Sequence, residues 1–226
     1  MLCQTLNIRP GVTAVIGSGG KTATLRVLAE ELSTEHSVLL CTTTKIYPPK
    51  DMLTLLDPTE AEVARALETN RLVCIGVPAP NGKLGVCRVP FSRLEALAEY
   101  VLTEADGSKQ LPLKAHEPHE PVIPPESRRV IQLVGLSGVG RTIREAAHRP
   151  ERYAALAGTG IDAVVTPQIA ARVILRENLA DSVIVNQAEN RTDEALELIS
   201  ALEVPAWYGS VRCGMLYKGE KMKCLL

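Results

Sequence analysis

Six consecutive residues, Gly17-Ser18-Gly19-Gly20-Lys21-Thr22, hold the most legible chemistry in this chain. Glycines permit a tight turn and close backbone approach, so several N–H groups can face phosphate oxygens while the following helix adds its positive end. Lys21 would lie across the β and γ phosphates as a point charge, and the Thr22 hydroxyl would complete the shell of a Mg²⁺ ion. The usual spacing G-x-x-x-x-G-K-[ST] asks for glycine at position 15, where this chain has Val15. A rival stretch, Gly135-Leu136-Ser137-Gly138-Val139-Gly140-Arg141-Thr142, has the full glycine spacing but puts arginine where lysine belongs. Only Thr142 to Arg149 separate it from Pro150, which leaves a short or interrupted helix. It reads better as a turn at the same sheet edge, where the rigid fork of Arg141 would suit a phosphate or an acidic acceptor.

Phosphoryl chemistry needs carboxylates for the metal and a group to orient the nucleophile. Glu104 and Asp106 follow the apolar run Tyr100 to Thr103 and are expected beside the cation, so Lys21, Glu104 and Asp106 form the candidate catalytic set. Thr42, Thr43 and Thr44 leave a neighbouring strand; Thr43 joins Thr22, Glu104 and Asp106 as a metal or metal-water ligand, and Lys45 could reach phosphate or a second substrate. For the base, Asn186-Gln187-Ala188-Glu189 is a degraded form of the N-K-x-D guanine reader, with Asn186 as the base contact and adenine and guanine both open. Lys109, Lys114, His116, Glu117, His119 and Glu120 crowd a proline-rich stretch. Pro118 disfavours the helical turn that would set His116 and His119 together on a metal, so the segment is expected as an ordered lid with Lys114 and His119 facing an anion.

These residues need elements to hold them. Val12 to Ile16 is a short β-branched run bounded by glycines, the pattern of a strand buried on both faces. Leu25, Leu28, Ala29 and Leu32 recur at helical spacing within Lys21 to Glu35. Further strands are expected at Ser37 to Cys41, Leu72 to Ile75, Tyr100 to Thr103, Val130 to Val134 and Ser182 to Asn186. Helices are expected at Thr59 to Thr69, Pro90 to Glu99, Pro150 to Ala157, Pro167 to Asn178 and Thr192 to Ala201. Asn81-Gly82 marks a hairpin excursion near 76–90, and five prolines make 111–125 an ordered loop. The alternation predicts an α/β fold over 1–226: a mostly parallel sheet with helices on both faces, a three-layer P-loop nucleotide-binding domain with ligands beyond the carboxyl ends of the strands.

Composition narrows the function classes. The chain has 226 residues, 46% hydrophobic and 23% charged, which suits a globular core that buries about 70% of its surface on folding. Lys+Arg at 25 against Asp+Glu at 26 give a net charge of -1, without the field of a general nucleic-acid or anionic-membrane binder. Aromatic content of 3% argues against stacking platforms for single strands. No apolar stretch is long enough to span a bilayer and no leader pattern opens the chain, so a cytoplasmic protein is expected. Cys3, Cys41, Cys74, Cys87, Cys213 and Cys224 form no CxxC pair, and Cys41 and Cys74 end apolar runs as small buried hydrophobes would.

The loop at 17–22 resembles the shortened G-x-x-G-K-[ST] form of the amino-acid ligases that build bacterial cell wall. Taken with Thr42-Thr43-Thr44-Lys45-Ile46, Glu104-Ala105-Asp106-Gly107-Ser108-Lys109, Leu111-Pro112-Leu113-Lys114 and His119-Glu120-Pro121-Val122-Ile123-Pro124, nearly the whole chain resembles the YqeC-type accessory family of selenium-dependent molybdenum hydroxylases. The resemblance implies nucleotide binding at Gly17, Gly19, Gly20, Lys21 and Thr22, an acidic motif at Glu104 and Asp106, and a role in maturing a selenium-containing molybdenum enzyme. The expectation is therefore a Mg²⁺-dependent ATPase or GTPase with a molybdenum hydroxylase or selenium-delivery protein as partner. Two alternatives use the same residues. One is a small-molecule kinase whose acceptor is held by Lys45, Lys114 and His119; the other is a non-hydrolysing scaffold or chaperone that changes shape with the γ phosphate.

Overall fold

Each expected apolar run becomes a strand in the computed structural model, which describes residues 1–219. In chain order the elements are α1 (Leu2–Thr5), β1 (Gly11–Gly17), α2 (Lys21–Leu32), β2 (Val38–Thr42), β3 (Leu53–Leu56), α3 (Glu60–Thr69), β4 (Leu72–Ala79), β5 (Lys83–Gly85), α4 (Phe91–Leu97) and β6 (Tyr100–Glu104). They continue with β7 (Leu113–Lys114), β8 (Ser127–Gly135), α5 (Ile143–Ala146), β9 (Ala147–His148), α6 (Pro150–Ala157), α7 (Pro167–Glu177), β10 (Ser182–Asn186), α8 (Thr192–Ser200), β11 (Ala206–Ser210) and β12 (Met215–Lys218). The fold is mixed α/β, largely parallel in its sheets and flanked by helices.

Two units divide the chain, and neither is a simple sequence block. The first comprises Met1–Ile16, Thr22–Gly107 and Pro121–Val130; the second comprises Gly17–Lys21, Ser108–Glu120 and the chain from Ile131 onward. In the first unit the parallel strands run in the order β1-β6-β2-β4-β3, with β5 antiparallel on β4. Every residue of β1, β2 and β6 is buried, as expected of parallel strands covered on both faces. Helices α3 and α4 bring Val63 and Leu94 onto Val12, Leu39, Val73 and Val101. Thr59 starts α3 with a reciprocal capping box to Glu62, so Pro58 stands just ahead of the cap rather than in the first turn. In the second unit β8, β10 and β11 are parallel, and β12 is antiparallel on β11. Helices α6, α7 and α8 share its core, where Tyr153, Val173, Val185 and Leu198 are buried.

Several expectations change. The hairpin forms through β4 and β5, with Asn81 and Gly82 both at positive φ in the turn, but β4 continues to Ala79. The proline-rich stretch is not wholly a loop, since Leu113–Lys114 pairs with Ala147–His148 as a two-stranded parallel ladder. The rival glycine stretch becomes a 3₁₀ turn at Leu136–Gly138, and Thr142 caps the four-residue α5, too short to act as a phosphate helix. Arg141 Nη2 donates within its own turn to Glu145 O at 3.1 Å. Among the described residues no helix is long and apolar enough to cross a membrane.

Cys3, Cys41, Cys74 and Cys87 are buried and Cys213 is exposed; Cys224 lies outside the described residues. Burial pushes the thiols of Cys41 and Cys74 up to about 12. Because the thiolate is the reactive form, a maleimide at pH 8 should label Cys213 and leave Cys41 and Cys74 untouched until the protein unfolds. Counting adducts by peptide mass, before and after adding guanidinium, checks this. Labelling of Cys41 at the rate of Cys213 in the folded protein would contradict the burial.

Candidate functional site

The glycine turn is shaped first by its own neighbours. Gly17, Gly19 and Gly20 have φ of +87, +85 and +131, a region open to glycine and costly for other residues. A Cβ on Gly17 would strike Leu133 O, one on Gly19 would enter the backbone of Gly135, and one on Gly20 would meet Asn186 Nδ2. Ser18 N donates to Leu133 O at 2.9 Å, and the Ser18 hydroxyl donates to Leu111 O. Both donors of Ser18 are thus engaged by backbone carbonyls. The Asn186 Nδ2 donates to Gly19 O at 2.8 Å and its Oδ1 accepts from Val211 N at 2.9 Å, so both ends of the amide brace backbone.

Lys21 is only 4% exposed and folds back over this turn. Its Nζ lies 2.7 Å from Gly17 O and 3.2 Å from Ser108 Oγ. Lys21 also opens α2, a twelve-residue helix with no acidic side chain in its first turn. The first N–H groups of a helix have no acceptor within it, and the end carries partial positive charge. An ammonium and a helix N-terminus that its own acids do not compensate make a donor set suited to a phosphate chain.

In the other unit, Thr22 and the acids lie where the strands stop. Thr22 Oγ1 donates to Glu104 Oε2 at 2.9 Å. Glu104 is the last residue of β6 and 8% exposed, and its carbonyl accepts from Thr42 Oγ1 at 2.8 Å and from Thr43 N at 3.0 Å. Asp106, two residues on, is buried at 2% exposure. The Thr43 hydroxyl, expected as a metal ligand, donates to Val122 O at 2.7 Å and holds the end of the proline-rich stretch. Lys45 is exposed. The structure therefore joins Thr22 to Glu104, gives Thr42 and Thr43 to backbone, and leaves Lys45 exposed. Thr22 and Glu104 are hard oxygen donors of the kind Mg²⁺ takes, usually through one or two carboxylates plus phosphate oxygens. Among the described residues no group of three or more His, Cys, Asp and Glu side chains could hold a metal ion.

Of the proline-rich residues, His119 is exposed and His116 is buried. His116 pairs with a carboxylate rather than sharing a metal with His119: its Nδ1 lies 2.9 Å from Glu177 Oε2, and its backbone N donates to Glu177 Oε1 at 2.6 Å. Lys114 is buried beside Glu120. The motifs alone do not single out Ser108, which touches Lys21, or Glu177, which lies 61 residues from its partner. Ser108 was within reach, as it sits in the acidic motif; Glu177 had no local signal.

A family model described as YqeC protein matches residues 13–151. That span includes the glycine turn, the threonine run, the strand-end acids and the proline-rich stretch. The uncharacterized protein YqeC of Escherichia coli (strain K12) is 34% identical over 165 residues, covering 70% of this chain and 64% of the relative. The chain thus spans just under two thirds of that relative's length. No solved structure matches it.

Proposed function

The chain belongs to the YqeC protein family, and from its glycine turn and strand-end acids we propose that it binds a nucleoside triphosphate with Mg²⁺ and hydrolyses it. One placement carries this reading. Consecutive side chains at the start of α2 point to consecutive tasks, with Lys21 Nζ 2.7 Å from Gly17 O and Thr22 Oγ1 2.9 Å from Glu104 Oε2. Gly19, Gly20 and the first turn of α2 would hold phosphate oxygens, and Lys21 would leave Gly17 O to lie across the β and γ phosphates. Thr22 and Glu104 would hold Mg²⁺, which when bound neutralises charge developing on the phosphates. Asp106, or Glu104 itself, would orient the attacking water. The resemblance read from the motifs supports coupling this ATPase or GTPase activity to maturation of a selenium-dependent molybdenum hydroxylase, with that enzyme or a selenium-delivery protein as partner.

Calorimetric titration with ATP and with GTP, each with and without Mg²⁺, tests the reading and chooses the base. Magnesium-dependent binding of either nucleotide, followed by phosphate release, supports it; no uptake of either by the folded protein overturns it. Thr22→Ala should weaken only the magnesium-dependent part of binding, by about fivefold for one lost hydroxyl contact. Thr22→Ser should restore it. A magnesium titration of Thr22→Ala that overlays the parent removes Thr22 from the cation site.

A further inference from the structure

A second cluster of charge lies within the unit that contains the glycine turn. Lys114 and His148 are register partners on the short β7–β9 ladder, and Arg149 follows at once. Arg149 stands at φ +67 as the N-cap of α6. Glu120 lies among them. Its Oε2 is 3.2 Å from Lys114 Nζ and its Oε1 is 3.3 Å from Arg149 Nη2, and the Lys114 side chain is 0% exposed. One carboxylate thus bridges two cations, and Lys109 adds a third positive charge to the neighbourhood of His148.

The pairing is incomplete. His148 Nδ1 and Arg149 Nε are buried and make no hydrogen bond among the described residues, although buried polar atoms almost always find partners. Burial pushes the Glu120 carboxyl up, but Lys114 and Arg149 outweigh it and hold the group below its ordinary range. Burial, then Lys114 and Arg149, push the His148 imidazole down, with only Glu120 opposing them, which favours the neutral ring. A lysine and an arginine around one pair of oxygens is how proteins recognise a carboxylate or phosphate, and here Glu120 supplies the oxygens while the His148 imidazole lies within their electrostatic reach. The segment is fixed in position, since Gly135 N donates to Pro112 O at 2.9 Å and Ala115 N donates to His148 O at 3.2 Å. Ser108, which opens the same segment, contacts Lys21.

We propose that Lys114, Arg149 and His148 form an oxyanion site for the acidic group of a second small substrate, with Glu120 as the built-in occupant that the substrate displaces. The site stands whether or not the glycine turn binds a nucleotide. If it does, an acidic substrate is held on the segment that touches the phosphate-loop lysine, the arrangement a phosphoryl acceptor needs.

The probes are inorganic phosphate and malonate, titrated separately into the full chain while the His148 ring is followed by proton–nitrogen correlation NMR. At least one should shift the His148 ring signals saturably, and which of them does so distinguishes a phosphate from a carboxylate group. Glu120→Gln removes the internal competitor and should tighten binding by about tenfold, whereas Arg149→Met should weaken it by about tenfold or more. Lys21→Ala should leave the His148 response intact, which separates this site from anion binding at the glycine turn. If neither anion moves the His148 signals in the parent or in Glu120→Gln, the cluster is an internal salt bridge and the proposal fails. It fails equally if Lys21→Ala abolishes the response.

Discussion

Gly19→Ala is expected to destabilise the protein by about 2 to 5 kcal/mol. Two costs add. A left-handed backbone with a side chain costs about 1 to 2 kcal/mol, and forcing a methyl into filled space costs about 1 to 3. Gly19 has φ +85, and its new Cβ would overlap the Cα and N of Gly135, which are backbone and cannot rotate away. Gly82 is the natural comparison, at φ +69 with nothing within 4 Å of its missing Cβ, so Gly82→Ala should show only the first cost. Urea unfolding of the two variants measures the difference. Equal midpoints would mean that the turn does not press on Gly135. The expected loss is a large share of the 5 to 15 kcal/mol typical of folded domains, so a glycine variant cannot by itself test nucleotide binding.

Lys21→Ala is the cleaner functional test, with an expected loss of about 1.5 to 3 kcal/mol in triphosphate binding, the range for a hydrogen bond to a charged group. That is roughly tenfold to more than a hundredfold in affinity. Lys21→Arg should not restore it, because a planar guanidinium is wider than an ammonium and position 21 is only 4% exposed. Calorimetry with the parent's preferred nucleotide, on variants whose circular dichroism matches the parent, checks both statements. Undiminished affinity in a folded Lys21→Ala would remove the ammonium from any phosphate role and leave Lys21 as a brace between Gly17 O and Ser108.

Much of the scaffold was readable in the sequence because its signals are local. Glycines bracket the apolar run of β1, proline opens α6 and α7 at the first helical turn, and the charged faces of α3 and α8 mark their period. Leu53–Leu56 escaped because an edge strand of four residues, with Leu53 and Leu56 exposed, shows neither alternation nor a buried run. The last two strands escaped because Ala206–Ser210 contains a glycine and lies against the exposed Met215–Lys218, so neither segment resembles a core strand.

The candidate site is legible in the same local way: Lys21, Thr22 and Glu104 are singled out from a motif and from a strand end, and the fold joins Thr22 to Glu104 across 82 residues. Asn186 was singled out as a base contact from its position at the end of β10, but the backbone partners it braces lie 167 and 25 residues away and leave no local signal. His116 was set aside as a metal ligand because of Pro118, but its pairing with Glu177, 61 residues away, had no signal in the sequence. Contacts at such separations depend on topology, which spacing along the chain does not encode.

The double grip of Asn186 has a practical consequence. One amide ties the carbonyl of Gly19 to the N–H of Val211, so a displacement of the turn tugs on the start of the connection leading into β12. Deuterium uptake at the Val211 amide is therefore a sentinel for occupancy of the turn, placed where no bound phosphate need touch it. Slower uptake on adding a ligand would register a tightened turn, and faster uptake a released one, without any label or substitution near residues 17–22.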